Sequence, residues 1–151
     1  MNYKGRYRVK NPQKYKGDFM NCIFRSLWER KFMKYCDTNE NVVLWASEEI
    51  RIPYRSPIDG RIHNYFVDFW MKVRTKSGEL RTYMIEIKPE KQTKPPVLGE
   101  GKMTPTKARQ IITYAVNKEK WKAATNYCGD RGWQLLILTE KNLFGRKNDK
   151  T

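Results

Sequence analysis

The sequence predicts an α/β fold: an N-terminal helix, a three-stranded meander, a second helix broken or kinked near Asn117, and a further strand. Three observations predict it. Two alternating apolar runs, residues 65–73 and 80–89, flank a short Lys-Ser-Gly turn, the pattern of a β-hairpin. Helical periodicity precedes and follows this hairpin. A short apolar run, residues 133–139, then has the character of an interior strand.

Residues 1–17 carry six basic side chains and no acid, with Tyr3, Tyr7 and Tyr15 interspersed. They show neither helical nor strand periodicity. The segment reads either as a solvated arm or as one whose Arg6 and Arg8 track phosphates while its tyrosines pack or stack. Asp18 is placed to cap a helix running to about Cys36, with Met20, Ile23, Phe24, Leu27 and Trp28 along one stripe. Cys22, Ser26, Glu29 and Met33 form a second ridge, setting Glu29 among small and apolar neighbours. The plainer reading of Glu29 is a surface carboxylate paired with Arg25 or Lys31.

Residues 41–54 read as a strand bent near Ser47, where the apolar parity shifts. The Pro57-Ile58-Asp59-Gly60 turn returns the chain to the central hairpin. Period two puts Tyr65, Val67, Phe69 and Met71 on one face, and Phe66, Asp68, Trp70 and Lys72 on the other. On the next strand Tyr83, Ile85 and Ile87 oppose Met84, Glu86 and Lys88. Residues 89–106 hold four prolines and two glycines among lysines, so they form a loop. A lid or DNA-contacting flap is one reading of it, and a disordered excursion the other. Thr104-Pro105 then starts a helix whose buried face is expected at Ala108, Ile111, Ile112 and Ala115. This helix is expected to end at Gly129 or Gly132, and a last turn or short helix at residues 140–144. The chain divides into an arm, 1–17, one domain, 18–145, and a polar tail, 146–151.

Charge narrows the function. Thirty-one Lys+Arg against 16 Asp+Glu leave +15 on 151 residues. Such an excess predicts a polyanionic partner, nucleic acid in preference to an acidic membrane surface. No apolar run is long enough to span a bilayer, and no signal peptide is expected. Three cysteines without CxxC spacing and one histidine argue against a zinc site or a disulfide framework, and fit a reducing compartment. Cys22, Cys36 and Cys128 read as small buried residues.

Asp68, Glu86 and Lys88 can meet on one sheet face among large apolar side chains. Burying two carboxylates there without a cation is costly, and a divalent metal is the simplest one. Asp68 and Glu86, with the Ile87 carbonyl, supply hard oxygen ligands suited to Mg²⁺, with Mn²⁺ as a substitute. Lys88 can polarise water or balance phosphate charge. Glu29 can join the metal shell. Lys107 and Gln110 face the expected position of substrate phosphate, and Lys91 and Lys94 belong to the flap. The competing reading is a buried ion pair between Asp68 and Lys88 that supports the sheet.

The spacing Asp68 … Glu86-Ile87-Lys88, with Glu29 on the preceding helix, resembles the PD-(D/E)xK nuclease motif, except that Val67 replaces the proline before the aspartate. The wider pattern includes Phe24-Arg25-Ser26-Leu27-Trp28-Glu29, Ile52-Pro53-Tyr54, His63 and Asp68-Phe69. That pattern is similar to TnsA-type transposon endonucleases. Over nearly the whole chain it resembles the head completion nucleases of T4-like bacteriophages. The resemblance implies a restriction-endonuclease-like core and a Mg²⁺-dependent endonuclease acting on double-stranded DNA late in head assembly, near the portal. It implies supporting roles for His63 and Ser26, and a location in the virion or host cytoplasm. Two rivals share the charge. One is a non-catalytic head completion protein that binds DNA and the portal. The other is a transposon-end or junction-cleaving nuclease, for which a dimer would provide two coordinated cuts.

Overall fold

The computed structural model describes residues 3–144. The tail at 146–151, and the first two residues of the basic arm, lie outside them. Strands β3 (Val42–Ser47), β6 (Phe69–Arg74), β7 (Leu80–Ile87) and β8 (Gln134–Leu138) form a four-stranded sheet in that order. The first three are antiparallel, and β8 lies parallel to β7. A hairpin of β4 (Arg51–Arg55) and β5 (Ile62–Phe66) is inserted between β3 and β6. The expected meander is therefore present, but interrupted by this second small sheet.

Each face of the main sheet carries its own core. On one face, helix α1 (Leu27–Thr38) packs Phe32, Met33 and Cys36 against Phe69, Met71 and Ile85. On the other, helix α2 (Pro105–Arg131) brings Ala124 and Cys128 against Trp70 and Met84. The parity read from residues 83–88 is observed. The parity read across residues 65–71 fails at one point: Tyr65 and Val67 join Trp70, not Phe69. Here the chain leaves the small sheet for the large one, with Val67 N–H bonded to the Ile50 carbonyl and Glu48 N–H to the Asp68 carbonyl. Alternation holds only within one ladder, so a change of sheet resets it. The bend expected at Ser47 is the matching break on the other side, where Glu48 adopts a left-handed φ of 52°.

The first helix starts later than its apolar spacing suggests. Asp18 caps only a 3-10 turn, Phe19–Asn21, by accepting from the Met20 N–H. The chain then forms β2 (Ile23–Phe24), paired with β1 (Gly5–Arg6), before α1 begins. Met20 and Leu27 are exposed, so the expected stripe does not exist. The deciding signal is Ser26-Leu27-Trp28-Glu29, a capping box: the Ser26 hydroxyl accepts from Glu29 N–H at 3.1 Å.

The described residues of the basic arm join the core. Tyr7, Val9 and Tyr15 are buried, and Tyr15 meets Trp45 edge-on at 4.7 Å between ring centroids. Arg6 and Arg8 alternate outward and are exposed. The second helix is continuous from Pro105 to Arg131, without a break at Asn117, and Gly132 ends it at φ 71°. Tertiary packing overrides the weak propensity at Asn117, which is itself buried. Ile111 and Ile112 are exposed, against expectation. The N-terminal half of α2 faces the 89–97 loop across a cavity, and only its C-terminal half packs into the sheet core. Helix α3 (Glu140–Phe144) closes the described chain. All three cysteines are free and buried.

Candidate active site

The end of the sheet where β6 begins and β7 finishes brings three expected residues together. Asp68 immediately precedes β6, Glu86 and Ile87 end β7, and Lys88 follows, its N–H extending the ladder to the Leu138 carbonyl at 3.0 Å. Asp68 Oδ2 accepts from Ile87 N–H at 2.8 Å, which ties the aspartate to the strand carrying the glutamate. Glu86 is 4% exposed, and Lys88 Nζ stands 4.0 Å from its Oε2.

Helix α1 presents the fourth residue. Glu29 occupies the first turn, where Ser26 caps its N–H and its own Oε1 accepts from Arg25 N–H at 3.1 Å. A carboxylate is favoured there by the unpaired amides of the helix start. Arg25 is in turn ion-paired to Glu48, beside the turn where the chain changes sheets. Burial pushes the Glu29 carboxyl above the usual range. The Arg25 N–H, the Arg25 charge and Lys88 pull it down, while the Glu86 charge pushes it up. Glu29 therefore shares its field with the strand residues.

Asp68 is the most perturbed of the group. Burial holds its carboxyl well above the ordinary aspartate range, and the facing Glu86 carboxylate pushes it further; the Ile87 N–H works against both. Two acids that cannot comfortably ionise together form a pair that a nearby cation would stabilise. Among the described residues, no three His, Cys, Asp or Glu side chains already enclose a metal position. The donor set still fits a hard divalent ion: carboxylate oxygens, no thiol or imidazole, and a pair whose mutual repulsion an ion would relieve.

Two aromatic residues of this site escaped the sequence reading. Trp121 on α2 points its indole N–H at Glu86 Oε2, 3.5 Å away. Tyr65 is buried beside Glu86 and Asp68, its hydroxyl has no hydrogen-bond partner, and its pKa is raised, first by burial and then by the two carboxylates. Tyr65 was legible only as a sheet residue, and no local pattern links Trp121 to a strand 35 positions away.

Other candidates lie elsewhere or have local partners. His63 pairs with Asp59, in the turn that joins β4 to β5, at 2.8 Å. Ser26 supports Glu29 directly, as its helix cap. Lys107 Nζ bonds the Glu100 and Lys102 carbonyls at 3.1 and 3.2 Å, clasping the loop to α2. Lys94 pairs with Glu90 at 3.4 Å. Lys91 and Gln110 line the cavity between loop and helix, and Arg6 and Arg8 sit on the N-terminal arm.

Fold and site define an α/β protein with an acidic pair and a lysine at a sheet end, the arrangement of the restriction-endonuclease-like fold. The family model described as the TnsA-like endonuclease N-terminal domain matches residues 39–140, and the chain belongs to that family. It is also 41% identical over 146 residues to the protein named "Head completion nuclease" of Enterobacteria phage T4, covering 95% of each chain. No solved structure matches it.

Proposed function

We propose that this chain is a divalent-metal-dependent DNA endonuclease of PD-(D/E)xK chemistry, acting in phage head completion. The observation that carries the reading is the buried Asp68–Glu86 pair with Lys88 beside it. Family membership and the phage relative's printed name support nuclease chemistry and the assembly context. The chain's +15 charge supports a polyanionic substrate, held mainly through phosphate contacts.

Asp68 and Glu86 would hold the ion, with the Ile87 carbonyl and Glu29 as further oxygen donors. A bound Mg²⁺ supplies neutralisation of the phosphate's negative charge and lowers the pKa of coordinated water. Lys88 orients the attacking water and balances charge on the phosphate oxygens.

One observation favours a second reading, a head completion protein that binds DNA and portal without cutting. It is that the carboxylates, as they lie, do not already form a three-ligand cage. Purified protein incubated with supercoiled and linear duplex DNA in Mg²⁺ or Mn²⁺ separates the two. Nicking is expected, and Glu86→Ala and Lys88→Ala are each expected to reduce it by about 10²- to 10⁴-fold, as for loss of a positioned catalytic group. Cleavage unchanged in both variants would sink the site assignment. Absence of cleavage with either ion would favour the binding-only reading.

A further inference from the structure

Each acid of the strand pair has one oxygen already engaged by the chain. Asp68 Oδ2 accepts from Ile87 N–H at 2.8 Å. Glu86 Oε2 accepts a long hydrogen bond from the Trp121 indole N–H at 3.5 Å, and the Lys88 ammonium stands 4.0 Å from the same atom. Among the described residues, neither Asp68 Oδ1 nor Glu86 Oε1 has a donor. The side-chain polar atoms there that are both unpartnered and fully enclosed are Trp45 Nε1, Tyr65 Oη, Trp70 Nε1 and Asn117 Nδ2. The two free carboxylate oxygens are not among them and so keep some access to solvent. A cation can therefore reach one oxygen of each acid.

The packed half of α2 carries the indole. Ala124 and Cys128, three and seven positions after Trp121 and on the same side of the helix, are buried in one core with Met84. Met84 precedes Glu86 by two positions on the same face of β7, so helix and strand meet at both pairs. An indole N–H donates and cannot accept, so Trp121 can hold Oε2 without itself binding a cation. Lys88, at 4.0 Å, is an ion pair with Oε2 but not a hydrogen bond, which leaves the indole as the group that fixes where this oxygen points.

We propose that Trp121 is a positioning residue that keeps Glu86 a one-oxygen ligand, and so biases the site towards Mg²⁺ and away from Ca²⁺. The inference rests on the metal-dependent reading of the site. Its physical basis is ligand number. Mg²⁺ demands a near-octahedral shell and keeps several waters, whereas Ca²⁺ takes about six to eight oxygens and accepts both from one carboxylate. With Oε2 held by the indole, Glu86 has one oxygen to give. Without that donor the carboxylate can turn and offer two, which suits the larger ion.

The test titrates the full chain with MgCl₂ and, separately, with CaCl₂ at constant ionic strength, and reads apparent affinities from the rise in melting temperature. In Trp121→Phe, Mg²⁺ affinity is expected to fall by about tenfold or more, the usual size of losing a partner of a metal ligand, while Ca²⁺ affinity holds or rises. A loss of packing alone would lower the metal-free melting temperature and weaken both ions alike. The ratio of the two affinities therefore separates positioning from packing. Trp121→His keeps a ring N–H and should shift that ratio less than Trp121→Phe does. A ratio that shifts equally in both variants would make Trp121 a packing residue only. An unchanged ratio in Trp121→Phe, with Glu86→Gln abolishing the response to both ions, would overturn the role of Trp121 and leave the metal site standing. If wild-type protein responds to neither ion, the metal-dependent reading fails and this inference fails with it.

Discussion

Asp37 and the Asp68–Glu86 pair are acids enclosed by the same small domain, and their surroundings differ in kind. Asp37, fully buried at the end of α1, accepts from Tyr7 Oη at 2.8 Å, Lys10 N–H at 2.8 Å and Asn11 N–H at 3.0 Å. Asn11 Nδ2 and Lys14 Nζ bond its backbone carbonyl as well. A carboxylate at a helix C-terminus opposes the helix dipole, and these donors outweigh that. Asp68 has one donor, Ile87 N–H, and faces another acid. Asp37 is a finished structural joint, fastening the N-terminal arm to the core. The strand pair instead combines mutual repulsion with burial, which a cation would relieve. A buried acid with all its donors points to architecture, and one lacking them points to a ligand.

The contrast can be broken from either side. The largest stability effect is expected from Asp37→Ala, which strands the buried Tyr7 hydroxyl and two partly buried amides and detaches the arm. A loss of about 3 kcal/mol or more is expected, on the order of 10 °C in melting temperature for a chain of this size, by calorimetry. A loss under about 1 kcal/mol would mean that the arm is held by apolar packing alone.

Mg²⁺ should raise the melting temperature of wild-type protein by several degrees. About 2.7 kcal/mol is expected when the ion is at a hundredfold its dissociation constant. Asp68→Asn and Glu86→Gln should abolish that increment, while the Asp37 variant keeps it. An increment that persists in both strand variants would place the ion elsewhere.

Without metal, Asp68→Asn should itself stabilise the fold, on the order of 1 kcal/mol, while removing cleavage. The sign follows from the raised carboxyl. The folded chain holds the Asp68 proton more tightly than the unfolded chain does. The stability from that proton is therefore fully present below the ordinary aspartate range and is lost as pH rises through the raised folded value. The variant should lack this fall when denaturation midpoints are measured across acidic to neutral pH. A parallel pH profile in both proteins would show that Asp68 is not the group responsible.

The smallest effect belongs to the helix that carries Glu29. Ser26→Ala removes the cap from Glu29 N–H and should cost about 1 kcal/mol. If Glu29 acts at the site, the same change should lower the cleavage rate at saturating DNA more than it changes DNA affinity. An effect on stability alone would confine Ser26 to the helix.

Much of this was open to a reader of the sequence, for reasons that differ by element. Strand residues 83–88 were legible because they stay in one ladder, so alternation maps directly onto the two cores. Residues 65–71 were half legible, since the change of sheet at Val67-Asp68 resets the alternation without any local mark. The start of α1 was misplaced because apolar spacing at Met20, Ile23 and Phe24 imitates a helix, while the capping box at Ser26–Glu29 gives the true boundary. Asp37 carries no local mark of its role, because its donors come from 23 or more positions upstream.

What the sequence by itself determined is the chemistry available: an acidic pair and a lysine at strand spacing, a carboxylate on the helix before them, a proline-rich loop after them, and an excess of positive charge. Period-two geometry and residue type suffice for that, because they act over a few bonds. Tertiary structure decided which side chains share an environment. It turned Lys107 to the loop and Lys94 to Glu90, brought Trp121 and Tyr65 to Glu86, and buried the Asn117 amide without a partner. Those outcomes depend on packing between distant segments, and the free energy of burial, not local periodicity, sets them.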